Sequence, residues 1–325
     1  MRAVVCTKWG NPDTLILKDV PDPVPGPGEV AIAIHACGLN FADTLMIQGT
    51  YQVRPEFPFS PGLEIAGTII ALGEGVDTFK EGDRVLAVIS YGGFAETAVA
   101  DVASVYAIPD NLGYPEAAGF AVAYGSSHLA LDDCASLQPG QNLVVFGAAG
   151  GVGLTAVEIG KMMGANVIAV ASGDEKMQVV RDYGADHVID YRGEDVRARI
   201  KELTDGRGGD VFYDPVGGDM FTAALKSTAM GAKIIVVGFA SGTVPQIPAN
   251  YLLIKNVTVH GFYWGGYRAY KPQVMRQSME QLLEWAGEEK LKPHIAHRFP
   301  LDQAADALKM LTERKSMGKT VVLVR

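Results

Sequence analysis

The pattern of apolar and polar residues changes once along this chain. Up to about residue 115, short apolar runs are broken by Gly and Pro, which predicts strands joined by turns. One helix interrupts them near 42–48. The predicted strands are 2–8, 15–20, 29–36, 64–72, 84–88 and 94–99. This part therefore reads as a β-dominated module, a partly closed barrel.

From about residue 114 to 261, apolar runs alternate with segments of helical spacing. Helices are expected after residue 153 and near 196–203 and 220–229. The predicted strands of this part are 143–146, 166–171, 187–190, 210–213, 233–238 and 257–262. This alternation is typical of a doubly wound α/β fold with a parallel sheet.

The last part of the chain predicts helices at 272–287 and 301–313 and a final strand at 320–324. We expect this strand to return to the first module, because it follows helices at the end of the chain. The first domain would then be discontinuous, formed by 1–115 and 265–325. Residues 116–264 would form the dinucleotide-binding domain.

A glycine-rich turn joins the strand at 143–146 to the helix that follows. Such a turn directs backbone N–H groups and the positive end of a helix dipole at one point, which suits a diphosphate. Ala148, Gly150 and Gly153 occupy the three glycine positions of the dinucleotide fingerprint, the first replaced by Ala. An ordinary tight strand-to-helix connection is the alternative. The predicted diphosphate contacts are Ala149, Gly150, Gly151 and Val152.

The end of the next strand bears on which nucleotide is bound. The fingerprint expects an acidic residue there, about 20 residues after the glycines, to bind a ribose 2′-hydroxyl. Ser172 and Gly173 stand there instead, and Lys176 follows one helical turn later. A hydroxyl with a cation suits a 2′-phosphate, so NADP is favoured over NAD. Asp174 and Glu175 argue against this, although both could complement the helix dipole.

Other strand ends are expected to line the ligand crevice, because ligands of such sheets bind at the carboxyl ends of the strands. Tyr191 and Arg192 follow the third strand and could close over the adenosine phosphate, with a solvated loop as the alternative. The remaining candidates could equally belong to plain turns. They are Val216, Gly238, Phe239 and Ala240.

Composition limits the possible partners of this 325-residue chain. The formal net charge of −9 argues against broad binding to nucleic acid. No apolar run approaches the roughly 18 residues of a membrane span, so no membrane association is expected. Three widely spaced cysteines suggest neither a disulfide framework nor a zinc knuckle, and a reducing cytoplasm is the expected location.

Several motifs together resemble one family over the whole length of the chain. They are CGLNFADTLMIQGTY at 37–51, PFSPGLEIAGTI at 58–69, AAGFAVAYGS at 117–126, VVFGAAGGVG at 144–153, GADHVIDYR at 184–192 and VVGFASG at 236–242. The sequence resembles the medium-chain dehydrogenase/reductase superfamily, and within it the zinc-free NADPH:quinone oxidoreductase branch that includes zeta-crystallin-like proteins. The resemblance implies a Rossmann domain, a GroES-like catalytic domain and NADPH as cofactor.

The zinc ligands of the metal-dependent relatives are missing from the matching motifs. Those relatives bind zinc through Cys, His and Cys, where this chain has Asn40, Leu63 and Ala118. Leu and Ala offer no lone pair to zinc, so no metal is expected. Without a Lewis acid, alcohol oxidation loses its usual means of stabilising an alkoxide. Hydride delivery to a quinone or another α,β-unsaturated carbonyl remains.

The resemblance also implies roles for single residues. Asn40 and Tyr51 match polar positions that face the nicotinamide and the substrate, and Asp43 matches an acid of the cleft with a structural role as the alternative. Leu45 departs from a Tyr found in some members. Phe262, Tyr263 and Trp264 match a segment beside the nicotinamide, with packing as the alternative. Arg314 and Lys319 match basic positions at the 2′-phosphate end, with a solvated helix face as the alternative.

The resemblance further implies a homodimer in which the edge strand 257–262 pairs with its copy. Two other functions stay open. The string at 46–58 also resembles the tyrosine-bearing motif of enoyl-thioester reductases, in which the residue matching Tyr51 would donate a proton. A nucleotide-binding protein with little turnover is the second alternative.

Overall fold

The computed structural model describes residues 1–313 and 315–325. The chain forms two compact units. One unit comprises Met1–Val122 and Met279–Arg325, and the other comprises Ala123–Ser278. The boundaries expected from the sequence, 115/116 and 264/265, lie several residues earlier in the chain. The α/β fold class is confirmed: one unit is a mixed β structure, and the other contains a parallel sheet.

The first unit is built on strands of apolar and small residues. They are β1 (Arg2–Val5), β2 (Ile16–Asp19), β3 (Glu29–Gly38), β4 (Glu64–Leu72), β5 (Arg84–Val88), β6 (Thr97–Asp101) and β7 (Val105–Ala107). The long strand β3 is buried over nearly its whole length and pairs antiparallel with both β4 and β6. It forms the centre of the unit's main sheet.

The C-terminal part of the chain adds two strands to the sheet of the first unit. After the second unit, β14 (Ile295–Pro300) and β15 (Lys319–Leu323) complete the sheet of the first unit. β15 pairs antiparallel with the end of β3, so Val321 lies opposite Gly38. The predicted return of the terminal strand to the first module is therefore confirmed. The pairing places the start of β15 beside the ends of β3 and β4.

Short helices of the first unit cover the sheet. They are α1 (Phe41–Ile47) and α2 (Tyr114–Ala118), and near the C-terminus α11 (Ala304–Thr312). α1 begins directly after β3, and its buried side of Met46 and Ile47 packs into the core of the unit. Two further helices run across the boundaries between the units: α3 (Ala121–Leu129) and α10 (Pro272–Gly287).

The second unit contains a parallel sheet in the order β10-β9-β8-β11-β12-β13. Its strands are β8 (Asn142–Phe146), β9 (Asn166–Ala171), β10 (His187–Asp190), β11 (Gly209–Asp214), β12 (Thr228–Val236) and β13 (Thr258–Gly261). β8 and β9 are almost wholly buried because the helices that join parallel strands cover both faces of such a sheet. The doubly wound prediction is confirmed.

The helices of this unit follow the strands in the order that the alternation predicts. They are α4 (Gly151–Met162), α5 (Asp174–Asp182), α6 (Val196–Leu203), α7 (Gly218–Lys226), α8 (Ala249–Lys255) and α9 (Tyr267–Tyr270). α8 was not predicted, and β12 begins five residues before its predicted start at 233. Among the described residues, no helix is both long and apolar enough to cross a membrane.

Candidate functional site

The turn between β8 and α4 is shaped so that only glycine fits at its third fingerprint position. A Cβ at Gly153 would lie 2.2 Å from the carbonyl oxygen of Gly147, far inside contact distance. Gly147 itself adopts a positive φ of 56°. Gly150 caps α4 in extended backbone, and no side chain in the described part of the sequence forms a capping hydrogen bond there. The first N–H groups of α4 therefore lack side-chain partners and are suited to an anion.

Beside this turn, the ends of β9 and β10 bring polar side chains together. The hydroxyl of Ser172 hydrogen-bonds the carboxylate of Asp190, which also accepts the N–H of Arg192 at 3.1 Å. Burial lowers the pKa of Lys176, and the nearby charge of Arg192 lowers it further. Tyr191, between Asp190 and Arg192 in the sequence, has an exposed ring. The structure thus brings two cations to the strand end that follows the glycine turn.

The loop after β11 contacts the glycine turn from the other side. Val216 lies against Gly147, 3.1 Å from a Cβ built there. The buried carboxylate of Asp214 organises the loop, because its Oδ1 accepts the N–H groups of Val216 and Gly217 at 2.8 and 2.9 Å. Its Oδ2 is buried and has no hydrogen-bond partner among residues 1–313 and 315–325, and burial raises the pKa of the carboxyl group. The sequence pointed to this loop but not to the role of Asp214.

The loop after β12 is joined to the same strand end. The N–H of Gly238 donates to the carbonyl of Asp214 at 3.4 Å, and the N–H of Ala240 donates to that of Pro215 at 3.0 Å. Phe239 is exposed beside Gly217. Val216, Gly238, Phe239 and Ala240 therefore lie together at the carboxyl end of the sheet, as their positions after parallel strands require. Their role in binding stays a prediction.

The three aromatic residues after β13 are placed differently from one another. Phe262 and Trp264 are buried in the second unit, where the Phe262 ring lies 5.6 Å from that of Tyr267 and the Trp264 indole packs on Gly125. Their rings are packed, in line with the alternative that the sequence left open, and the place of this segment beside a ligand stays a prediction. The Tyr263 ring is exposed and remains a candidate.

A cluster of polar side chains lies in the first unit, where the ends of β3, β4 and β15 meet. Asn40 caps the start of α1, and its amide lies between Glu64 and Lys319. The Nζ of Lys319 donates to Asn40 Oδ1 at 2.9 Å, to the carbonyl of Leu39 at 2.8 Å and to Glu64 Oε1. Asn40 is partly exposed, whereas Glu64 and Lys319 are buried.

This placement corrects the assignment of Lys319 to the 2′-phosphate. Its ammonium has three protons and three acceptors, two of them uncharged oxygens and one the Glu64 carboxylate. A lysine with all its donors engaged in the interior does not offer a charge to a phosphate. Arg314, the other basic residue assigned to that end, lies outside the described residues.

Asp43 is fully buried and supports the start of α1. Its carboxylate accepts the N–H of Asn40 at 2.8 Å and the N–H of Gly62 at 3.1 Å, so it ties α1 to the loop before β4. Burial raises its pKa to about 7, opposed by these two N–H groups and by Lys319. With no exposed surface, it has the structural role left open by the sequence rather than direct contact with a substrate.

Tyr51 is partly buried against the core of the first unit, near the end of the segment that begins at Asn40. Leu63 and Ala118, at the positions of two zinc ligands in metal-dependent relatives, are both buried and apolar. Within 1–313 and 315–325, no group of three or more His, Cys, Asp or Glu side chains is arranged to hold a metal ion. The sequence reasoning missed Glu64, although a charged residue inside an apolar strand motif was a signal for it.

Two family models match the chain. One, described as "Alcohol dehydrogenase GroES-like domain", matches residues 26–110, and the other, described as "Zinc-binding dehydrogenase", matches residues 151–285. A quinone oxidoreductase-like protein 2 homolog of Nematostella vectensis is 43% identical, covering 99% of this chain and 88% of the relative. The bovine quinone oxidoreductase-like protein 2 is 39% identical, covering 100% of this chain and 93% of the relative.

Two solved structures superimpose on this chain over its full length. The Escherichia coli quinone oxidoreductase complexed with NADPH superimposes with a TM-score of 0.93 at 26% identity, covering 100% of both chains. A mycobacterial protein complexed with NADPH superimposes with a TM-score of 0.92 at 32% identity, again covering 100% of both chains.

Proposed function

We propose that this chain reduces quinones or other α,β-unsaturated carbonyls with NADPH. The chain belongs to the medium-chain dehydrogenase/reductase superfamily and is an oxidoreductase of its quinone oxidoreductase branch. The observation that carries the proposal is the pair of cations at the end of β9 and β10, beside a turn suited to a diphosphate. Two similar proteins were solved with NADPH.

The residues of the second unit fit this nucleotide. The close approach at Gly153 and the uncapped start of α4 leave room and N–H donors for a diphosphate. Lys176 and Arg192 supply positive charge for a 2′-phosphate, and Ser172 is held beside them by Asp190. Ser172 stands where an NAD-binding protein would carry the acid that binds the 2′-hydroxyl, and Lys176 follows one helical turn later.

The reaction is proposed to need no metal, because the positions that bind zinc in metal-dependent relatives hold Asn40, Leu63 and Ala118. NADPH supplies a hydride. The acceptor carbon must then already be electrophilic, as in a quinone or enone. Negative charge develops on the carbonyl oxygen as the hydride arrives, and a hydrogen-bond donor stabilises it. Tyr51 is proposed as this donor, and either its hydroxyl or water supplies the proton.

The substrate class is tested with purified protein and a panel of quinones, 2-enals, enones and crotonyl-CoA, following NADPH oxidation at 340 nm. Turnover of a quinone or enone is the expected result. If NADPH binds tightly but no acceptor is reduced, the alternative of a nucleotide-binding protein with little turnover holds instead. A titration with zinc and with a chelator in the same assay checks the proposed independence from metal.

Replacement of Lys176 is expected to separate the two nucleotides. In Lys176→Ala, the Kd for NADPH should rise about 10- to 100-fold, because a charged hydrogen bond contributes roughly 1.5–3 kcal/mol. The Kd for NADH should change less than about threefold, since NADH lacks the 2′-phosphate. Fluorescence titration measures both constants. Lys226→Ala, a change to an exposed lysine of the same unit, is the control. Equal loss for both nucleotides would refute the 2′-phosphate role.

Replacement of Tyr51 distinguishes quinone reduction from enoyl-thioester reduction. If Tyr51 is the obligatory proton donor to a thioester, Tyr51→Phe should lower kcat with crotonyl-CoA by about 10²- to 10⁴-fold. The anion formed from a quinone is a weak base that can take its protons from water and needs no acid of the enzyme. Turnover with a quinone should therefore fall less than about tenfold. The comparison of kcat for the two substrates in one variant decides between the functions. A large loss with crotonyl-CoA, in a wild type that prefers it, favours the thioester.

A homodimer is also proposed, with β13 as the strand at the interface. β13 lies at the edge of the sheet, and the unpaired backbone groups of an edge strand left open promote association. The neighbouring α8 exposes Leu253 and Ile254, at 80% and 69% of their surfaces. The double change Leu253→Glu and Ile254→Glu should convert the dimer to a monomer in analytical ultracentrifugation. Val24→Glu, at an 85% exposed site of the other unit, should not.

The cytoplasmic location expected from the cysteines stays a prediction. Cys6 and Cys37 are buried free thiols, and Cys134 is a partly buried one.

A further inference from the structure

An acid stands beside the position from which the dinucleotide fingerprint lacks one. The acid that binds a ribose 2′-hydroxyl is expected at the end of the second strand of the sheet, where this chain has Ser172. Asp190 ends the neighbouring strand β10, which pairs in parallel with β9 so that Asp190 lies opposite Ala171. The carboxylate is therefore one strand away from the expected position, next to the serine that replaces the acid there.

The Ser172 hydroxyl and the Asp190 carboxylate are joined by a hydrogen bond. This bond, together with the N–H of Arg192 at 3.1 Å from Oδ1, lowers the pKa of Asp190, so its carboxyl group is ionised at neutral pH. An ionised carboxylate only accepts hydrogen bonds, so Ser172 is the donor. The single proton of the serine is directed at Asp190, and its oxygen offers a ligand only lone pairs.

The strand end thus has two kinds of polar group. Ser172 and Asp190 accept hydrogen bonds, whereas the side chains of Lys176 and Arg192 only donate them. A carboxylate accepts about four hydrogen bonds. Within the described part of the chain, Asp190 receives one from Ser172 and one from the Arg192 N–H. Because Asp190 is partly exposed and Ser172 is buried, the carboxylate is the acceptor that a ligand reaches more easily.

The two nicotinamide nucleotides differ in the chemistry of the group that such a strand end receives. NADH has a 2′-hydroxyl, which has a proton to donate. NADPH has a 2′-phosphate, which is an anion and needs donors. Cations therefore favour the phosphate, and a carboxylate favours the hydroxyl and repels the phosphate. Asp190 opposes the preference for NADPH that Lys176 and Arg192 create.

We propose that Asp190 is a specificity-determining residue that accepts the 2′-hydroxyl of NADH, so that the same strand end binds both NADH and NADPH. This inference rests on the proposed function, since it requires the adenosine ribose to lie at the ends of β9 and β10. Lys176 and Arg192 bind the 2′-phosphate, and Asp190 limits the advantage that they give to NADPH. The acid missing from the second strand is supplied by the third.

The test is Asp190→Asn, which removes the charge and keeps an oxygen that accepts from Ser172 and Arg192. The Kd for NADH should rise about fivefold, because a neutral acceptor replaces a charged one. The Kd for NADPH should fall about fivefold, because a negative charge near the phosphate is lost. Fluorescence titration measures both constants, and circular dichroism and thermal melts establish that the variant is folded. Any result in which the two constants do not move in opposite directions would overturn the proposal.

Two further variants separate a direct contact from other effects. Asp182→Asn makes the same change of charge at the exposed last residue of α5, and the ratio of the two Kd values should stay within about twofold of wild type. Ser172→Ala removes the hydrogen bond but leaves the Asp190 carboxylate, so the Kd for NADH should rise less than about twofold. A rise as large as in Asp190→Asn would mean that Asp190 acts only by holding Ser172, which contradicts the proposal.

A modified nucleotide identifies the group that Asp190 receives. NADH without the 2′-hydroxyl of its adenosine ribose should bind wild type about fivefold more weakly than NADH, and in Asp190→Ala the two should bind within about twofold of each other. An equal difference in both proteins would show that another group accepts the hydroxyl and would refute the inference. A wild type that binds neither NADH nor NADPH would refute the proposed function as well. Tight binding of NADPH without the opposite shifts in Asp190→Asn would refute this inference alone.

Discussion

Gly153→Ala is expected to abolish tight NADPH binding and to destabilise the second unit by about 3 kcal/mol or more. The added Cβ would lie 2.2 Å from the Gly147 carbonyl oxygen and 2.9 Å from Ala148 Cα, and both are backbone atoms that cannot turn aside. α4 must therefore move away from β8. That movement displaces the N–H groups that would receive the diphosphate, so affinity and stability fall together. Denaturant unfolding and nucleotide titration measure the two effects.

The control for this substitution is Gly193→Ala. Gly193 lies in the loop after β10, where the nearest atom to an added Cβ is a carboxylate oxygen at 3.7 Å and φ is not positive. It should change the free energy of unfolding by less than about 0.5 kcal/mol. Tight NADPH binding by a stable Gly153→Ala protein would show that the close approach of α4 to β8 is not what forms the site.

Lys319→Met alone is expected to lower the free energy of unfolding by about 3–5 kcal/mol, because it leaves the Glu64 carboxylate buried without its partner. Glu64→Gln in addition should restore much of this loss, since the unpaired charge of Glu64 is then removed. The single variant should therefore be the least stable of the three proteins. Either wild type or the double variant should be the most stable. Urea or guanidinium unfolding of the three proteins checks it.

An exposed ion pair gives the comparison. Lys309 bonds Asp13 and Asp306 at the surface, and Lys309→Met should cost less than about 1 kcal/mol because water screens these charges. A small loss for Lys319→Met, equal to that for Lys309→Met, would mean that the Glu64 carboxylate finds other partners or a proton. A single variant more stable than the double variant would contradict the argument from buried charge.

The regular part of the fold was predictable because its signals are local. The strands at 64–72, 84–88, 166–171 and 187–190 and the helices at 196–203 and 272–287 have the predicted bounds. In each, apolar residues follow one period and polar or turn residues stand at the ends.

The missed elements lack such signals. α3 runs through AVAYGSSHL, where small and apolar residues follow one another without a polar face. α8 has apolar side chains but no buried residue, so no amphipathic period marks it. The short strand β7 and the strand β14 depend on pairing with β5 and β15. Pairing partners distant in sequence are not visible in local periodicity.

The sequence by itself determined the glycine turn, the serine and lysine after the second strand and the absence of zinc ligands at three motif positions, since each depends on residue types at short fixed spacing. Only the tertiary structure showed that Lys319 and Asp43 are buried in hydrogen-bond networks and that the rings of Phe262 and Trp264 are packed. Lys319 meets Asn40 across 279 positions of the chain and Glu64 across 255, because β15 and β4 flank β3. Whether a lysine faces a ligand or neutralises a buried carboxylate depends on which strands become neighbours, and that follows from the packing of the whole sheet.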